Sequence, residues 1–197
     1  MNTVESCYVM ALLAKICLCG DGQVGKTSLK DKYLGHGFQS DYKPTLGSDF
    51  ASKKVRLRIK TRYKTIRFQI WDLAGQPAFN QVRALYYNHA VGAFLIFDIT
   101  RPNTMYNLEK WINELSRHSG SPNIYVIVLG NKIDLKKKKE NSIDIKTARK
   151  FITDQLVSKY DSIDEKIKYF ETSAKSGKNV GKAFKTLGTN IYRYYSL

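Results

Sequence analysis

Nine residues, Gly20-Asp21-Gly22-Gln23-Val24-Gly25-Lys26-Thr27-Ser28, fit the pattern G-x-x-x-x-G-K-[ST]. Glycines at 20, 22 and 25 are expected to turn backbone N–H groups inward around an anionic phosphate. A helix starting there would add its unpaired donors and the positive end of its dipole. Lys26 would then reach the terminal phosphates, and the Thr27 hydroxyl would ligate Mg²⁺. Four further stretches carry chemistry-bearing side chains: Pro44-Thr45, Asp72-Leu73-Ala74-Gly75-Gln76, Asn131-Lys132-Ile133-Asp134 and Thr172-Ser173-Ala174-Lys175.

These stretches need a scaffold. An apolar run from Ala11 to Cys19 reads as a buried strand leading into the glycine-rich loop, and Thr27 to Leu34 reads as a helix leaving it. Val55 to Ile59 and Ile66 to Ile70 alternate apolar with polar or basic residues, as half-buried strands do. The short connection around Lys60 to Arg62 has room for a hairpin and not for a crossover helix, so this pair should be antiparallel. Gly92 to Phe97, Ile124 to Leu129 and the weaker Ile167 to Phe170 are continuous apolar runs, which suit parallel strands covered on both faces. Helical spacing places Met105, Leu108, Ile112 and Leu115 on one face, Ala148, Phe151, Ile152 and Leu156 on a second, and Val180, Ala183, Phe184, Leu187 and Ile191 on a third. A polar insertion lies around Tyr160 to Glu165. The expected fold is α/β: about six strands, mostly parallel with one antiparallel edge strand, and helices on both faces. No linker or internal repeat divides the chain, so residues 1–197 should form a single domain with a core of about 11–195.

In such a sheet, ligands bind beyond the carboxyl ends of the strands. All of the chemistry-bearing stretches fall at that edge. The Pro44-Thr45 loop precedes its strand, but that strand is antiparallel, so its start lies on the same rim. Taken together, the motifs and their order resemble those of a Ras-superfamily small GTPase with the P-loop NTPase G-domain fold. Leu46-Gly47-Ser48-Asp49-Phe50 and Phe68-Gln69-Ile70-Trp71-Asp72 tilt the resemblance toward the Rab-like branch.

The resemblance implies a GTP-binding and GTP-hydrolysing molecular switch of signalling or trafficking type, with GTP and GDP as substrate and product and Mg²⁺ as cofactor. It implies nucleotide contacts from Asp21, Gly22, Gln23, Val24, Gly25, Lys26, Thr27, Ser28, Phe38, Tyr42, Thr45, Gly75, Asn131, Lys132, Asp134, Ser173, Ala174 and Lys175. Thr27 and Thr45 would ligate the metal, with Asp72 acting on it through water, and Gln76, Lys26 and Thr45 would serve catalysis. Asn131 would tie its loop to the phosphate loop. The Lys132 stem would cover one face of the base, Phe38 would meet its other side, and the Ala174 N–H would reach guanine O6. Asp134 would accept from guanine N1–H and N2–H₂; adenine offers no such donor pair and would strand the carboxylate. Loops holding Thr45 and Gly75 would order with GTP and relax with GDP, to be read by effectors, exchange factors and GTPase-activating proteins. No motif supplies a catalytic arginine in cis, and Arg83 and Arg101 read as surface residues. Pro77-Ala78 departs from the acidic–basic pair usual after this Gln in Rab-like members. A GTP-binding scaffold that barely hydrolyses is the alternative. A nucleic-acid-associated protein is a third reading, disfavoured because no dedicated motif accompanies the basic charge.

The three cysteines, Cys7, Cys17 and Cys19, are too few and too clustered for a disulfide framework or a metal site. No run reaches the length of a transmembrane helix, no Gly follows Met1, and no cysteine lies near Tyr194 to Leu197. A monomer in the cytoplasm is expected. Net charge is +16, which favours anionic partners. Lys53, Lys54, Arg56, Arg58, Lys60, Arg62, Lys64 and Arg67 fall within 15 positions that contain no acid. Two readings stay open for this basic hairpin: charge that blocks edge-to-edge strand pairing, or a weak contact with an anionic membrane that would make the protein peripheral to it.

Overall fold

A computed structural model of the chain describes residues 11–39, 44–121, 123–138, 141–158 and 167–195. Strand β1 (Leu12–Cys19) is covered on both faces: Ala14, Ile16 and Leu18 point into one apolar cluster, Cys17 and Cys19 into the other. Both thiols are free and buried, and burial pushes Cys17 up to about 12, so it stays protonated and inert. Helix α1 (Lys26–Leu34) follows the glycine-rich loop and ends at Gly35, whose φ of 101° gives the left-handed cap that returns its N–H to Asp31 and Lys32.

Strands β2 (Ser48–Ile59) and β3 (Arg62–Leu73) form the antiparallel hairpin and run well beyond the alternating stretches expected for them. Ser48 to Lys54 lack a strong apolar period because none of them is buried; backbone pairing from Ser48–Leu73 to Ile59–Arg62 carries them. Helix α2 (Asn80–Tyr87) leads to β4 (Gly92–Asp98), which is buried throughout. The helical face expected over Met105 to Leu115 is divided between α3 (Asn103–Tyr106) and α4 (Leu108–His118), with its apolar residues all buried. After β5 (Tyr125–Asn131) comes α5 (Ile145–Phe151), whose N-terminal amides at Lys146 and Thr147 are capped by the Asp144 carboxylate, and which continues to Val157 in wider, π-type turns. Strand β6 (Lys168–Glu171) and helix α6 (Val180–Tyr195) complete the chain.

The sheet order is β2-β3-β1-β4-β5-β6, and among the described residues only the β2–β3 pair is antiparallel. Helices α1 and α6 cover one face, and α2, α3, α4 and α5 cover the other. This is the sheet with an antiparallel edge that hydrophobic patterning implied, and it is the P-loop NTPase fold. Tyr42, Cys7 and the polar insertion around 160–165 lie outside the described residues.

Candidate functional site: a cleft at the carboxyl edge of the sheet

The strands' carboxyl ends open on a cleft of about 490 Å³, lined from the glycine-rich loop, the segment at 37–39, Thr45, Gly75-Gln76, the loop after β5 and the loop after β6. That volume falls in the range of small-ligand sites. Gly22, Gln23, Gly25, Lys26, Thr27, Ser28, Phe38, Thr45, Gly75, Gln76, Asn131, Lys132, Asp134, Ala174 and Lys175 all reach it.

Backbone geometry shapes the phosphate-loop end. Gly25 has φ of 95°, and a Cβ there would collide with the Asn131 amide nitrogen. Gln23 takes the left-handed conformation, at φ 64°, and Gly22, which lines the cleft, has open space beside it, so no protein atom blocks a close approach there. Lys26 is buried, and its ammonium donates to the carbonyls of Gly20 at 2.7 Å and Asp21 at 2.9 Å. Burial lowers its pKa to about 8. An ammonium desolvated beside a tight turn is well suited to an incoming anion, which would favour its charged form.

Three oxygens gather next to it. Thr27 Oγ1 donates to Asp72 Oδ2 at 2.5 Å and lies 3.0 Å from Thr45 Oγ1. The Asp72 carboxylate is fully buried, which raises its pKa despite the Thr27 bond, and among the described residues its Oδ1 has no partner. A buried carboxylate oxygen left over beside two hydroxyls fits a hard cation that takes few protein oxygens and keeps waters, as Mg²⁺ does.

At the other end, Asn131 Nδ2 donates to the Val24 carbonyl at 2.9 Å, tying the β5 loop to the phosphate loop. Its Oδ1 accepts from the Ala174 N–H at 3.3 Å, so that N–H already has a partner within the protein. Ser173 is buried and donates to Asp134 Oδ1 at 2.6 Å, so its side chain orients the carboxylate. Two more of the expected contact residues turn their side chains away: Val24 lies in the core, and Asp21 accepts from Asn107 at 2.7 Å and from the Trp111 indole at 2.8 Å.

Two features escape sequence reasoning. Asp98, buried at the end of β4, pairs with Lys132 at 2.9 Å and Arg101 at 3.0 Å. Burial works against its charge, but the bonds from Lys132 and Thr100 outweigh it and hold the carboxyl below its usual pKa. Lys132 sits at φ 67°, a strained position for a side chain, and Asp98 is what anchors it. The position is open to notice, since Asp98 directly follows an apolar run at the sheet's carboxyl edge. Arg83 is the second, and it corrects the surface reading: it is 1% exposed. Its guanidinium donates to the Ala74 and Gln76 carbonyls at 3.0 and 3.1 Å, to Asn80, and bidentately to Glu114, and lies 4.3 Å over the Trp111 ring. Arg101 is less buried but also engaged, donating to the Gly22 carbonyl at 2.9 Å. Arg83→Ala should therefore lower the unfolding free energy by about 3–5 kcal/mol, the usual cost of stranding one partner of a buried ion pair. Denaturant melts measure this, and Arg83→Lys should recover only part of the loss because it lacks the fork.

The comparisons with known proteins agree with this geometry. The Ras family model matches residues 15–193. The chain is 36% identical over 184 residues to Ras-related protein YPTC6 of Chlamydomonas reinhardtii, an alignment spanning 93% of this chain and 77% of that protein. It is 38% identical over 184 residues to Ras-related protein Rab-11A of Dictyostelium discoideum, spanning 93% and 78%. With Ras-related protein RABA6b of Arabidopsis thaliana it shares 39% over 180 residues, spanning 91% and 71%.

Proposed function

The chain belongs to the Ras family of GTP-binding and GTP-hydrolysing switches, and on that premise we propose that its cleft binds guanine nucleotides with Mg²⁺ and acts as a Rab-like switch in signalling or trafficking. The observation that carries this is the pairing of a buried Lys26 at one end of a single cleft with Asp134, oriented by Ser173, at the other. Lys26 and the glycine-rich turn would hold the phosphates; Asp134 would read guanine, with Lys132 and Phe38 flanking the base and Lys175 beside it. Thr27 and Thr45 would hold Mg²⁺, with Asp72 bonded behind them. The ion would offset negative charge on the transferred phosphoryl group. Gln76 would orient the attacking water, and Thr45 and the Gly75 N–H would respond to the γ-phosphate.

Effectors, exchange factors and activating proteins are the partners this reading requires. Leu46, Phe50, Val82 and Leu85 are exposed large apolar residues close to the two responsive loops, and Trp71 packs between Phe50 and Tyr86. Such a surface suits proteins that must sense the state of those loops. The Rab-like assignment rests on Leu46 to Phe50, on Phe68 to Asp72 and on the Rab names among the relatives. Among the described residues no helix is long and apolar enough to cross a membrane.

Titration with a fluorescent GTP analogue tests the nucleotide reading. Lys26→Ala should weaken binding roughly 10²–10³-fold, since two charge-assisted bonds to phosphate are lost. The wild type should also show a pH signature. A Lys with pKa of about 8 in the free protein must be charged to hold phosphate, so affinity is unaffected by this group below pH 8 and falls up to tenfold per unit above it. Lys26→Ala should lose that part of the profile. A decline common to both proteins would belong to another group, and unchanged affinity in the variant would remove Lys26 from the site.

A further inference from the structure

The hairpin's solvent face carries charge that nothing described in the protein neutralises. Strand alternation and register decide which residues share it. In β2, Val55 and Leu57 point into the core beneath α6, so Lys54, Arg56 and Arg58 point the other way. Register pairs Lys54 with Arg67, Arg56 with Thr65 and Arg58 with Tyr63, and pairs Arg67 in turn with Leu13 of β1, so all of these side chains stand on one face. Lys54, Arg56, Arg58 and Arg67 are exposed there, and among the described residues none is paired with a carboxylate. The guanidinium of Arg56 lies 4.2 Å over the Tyr63 ring. Tyr63 and Leu13 are 59% and 56% exposed, which adds an aromatic and an aliphatic side chain to a cationic field.

We propose that this face of the β2–β3–β1 ribbon is a docking surface for an anionic lipid bilayer. Three observations favour a bilayer over a folded acidic partner. The cations are spread over adjacent strands at roughly 5–7 Å intervals, a layout that matches separate mobile headgroups better than one fixed ligand. The long Lys and Arg stems can lie along the sheet while their charges reach outward, and Tyr63 and Leu13 suit the headgroup boundary, where amphipathic and apolar side chains insert shallowly. The geometry also leaves the cleft free. Asp72 marks the cleft end of β3, so the basic face starts roughly 17 Å along the strand from it, at Arg67, and extends to roughly 30 Å, at Tyr63. A protein seated this way keeps its cleft at a distance from the bilayer, while Phe50 and Trp71, on the same face by alternation, lie roughly 13 Å further along the strands from Lys54 and Arg67. Edge protection by charge, the other reading of this stretch, requires only that β2 repel another strand. It does not account for Arg67, which lies on an interior strand of the sheet.

Each basic residue close to an anionic surface strengthens partitioning about fivefold, so four acting together give roughly several hundredfold over a neutral surface. Co-sedimentation with vesicles of phosphatidylcholine alone and with phosphatidylserine added measures this. Binding is expected only to the anionic vesicles and should vanish in about 0.5 M salt, where screening acts over about 4 Å. Lys54→Glu, Arg56→Glu and Arg58→Glu combined should abolish it. A matched triple reversal on α6, at Lys182, Lys185 and Arg193, changes net charge equally and should retain binding; these residues are on a different element and are exposed. Thermal melts of both triple variants confirm that they fold, and single reversals at Arg56 or Arg67 serve where a triple does not. Equal loss in both triples would overturn the proposal in favour of bulk charge. Retained binding in the hairpin triple, or capture of an acidic polypeptide or RNA with no affinity for anionic vesicles, would overturn it as well.

Discussion

Asp134→Asn is expected to cost GTP affinity on the order of 10⁴-fold and to create affinity for xanthosine triphosphate in its place. The reason lies in the donor and acceptor inventory. A carboxylate accepts twice, matching N1–H and the C2 amino group of guanine; an amide accepts once and donates once. Xanthine keeps N1–H but carries an oxygen at C2, so it complements the amide where guanine meets it donor to donor. Rejections of this kind are large because a polar group that the bound base shuts off from water is left without a partner. The change should not disturb the fold. Asp134 accepts from Ser173 at 2.6 Å, and a serine hydroxyl can either donate to the new amide oxygen or accept from its nitrogen. Thermal stability should therefore move little. Competition titrations with the two nucleotides measure the exchange. If GTP affinity survives, the base does not sit against Asp134.

That prediction depends on residues legible in the amino-acid sequence, and they are legible because their signals are local. A glycine-rich loop between an apolar run and a helix has few other uses, and the fully buried strands β4 and β5 announce themselves as continuous apolar runs. Placing the motifs at strand ends needs only the rule for parallel sheets. What the sequence hides is tertiary. Helix α2 turns Arg83 and Tyr87 inward while Val82 and Leu85 face outward, the reverse of what hydrophobicity predicts. Arg83 can be buried because Glu114, on α4, neutralises it and two carbonyls absorb its remaining donors. No spacing within the segment announces a partner 31 residues away. Asp98 is an intermediate case: its position at a strand end is visible in the sequence, as is the motif that holds Lys132, and only their pairing belongs to the fold. Gln23 is harder still, since a left-handed φ at a non-glycine residue leaves no mark in the sequence when glycines surround it.

The second large effect concerns chemistry and not binding. Gln76→Leu should slow single-turnover GTP hydrolysis about 10²-fold while changing GTP affinity by no more than about threefold, the pattern of a group that acts only in the transition state. Its backbone supports such a role. The Gln76 carbonyl is held from beneath by Arg83 at 3.1 Å, so the main chain is fixed from the protein side while the residue lines the cleft. Gly75, immediately before it, passes so close to the phosphate loop that a Cβ would fall 2.5 Å from the backbone of Asp21 and Gly22. That approach puts Gln76 next to where terminal phosphates would lie. Leucine fills similar volume, so the loop should keep its place, but it can neither donate to nor accept from a water. The separation of rate from affinity is what distinguishes a hydrolysing switch from a GTP-binding scaffold. A scaffold would show slow phosphate release in the wild type and no further loss in the variant. A switch would show measurable release in the wild type, a loss confined to the chemical step in Gln76→Leu, and a loss of binding in Lys26→Ala. Equal rates for wild type and Gln76→Leu, with GTP bound and Mg²⁺ present, would remove Gln76 from the reaction, and where both are slow they would leave the scaffold reading in its place.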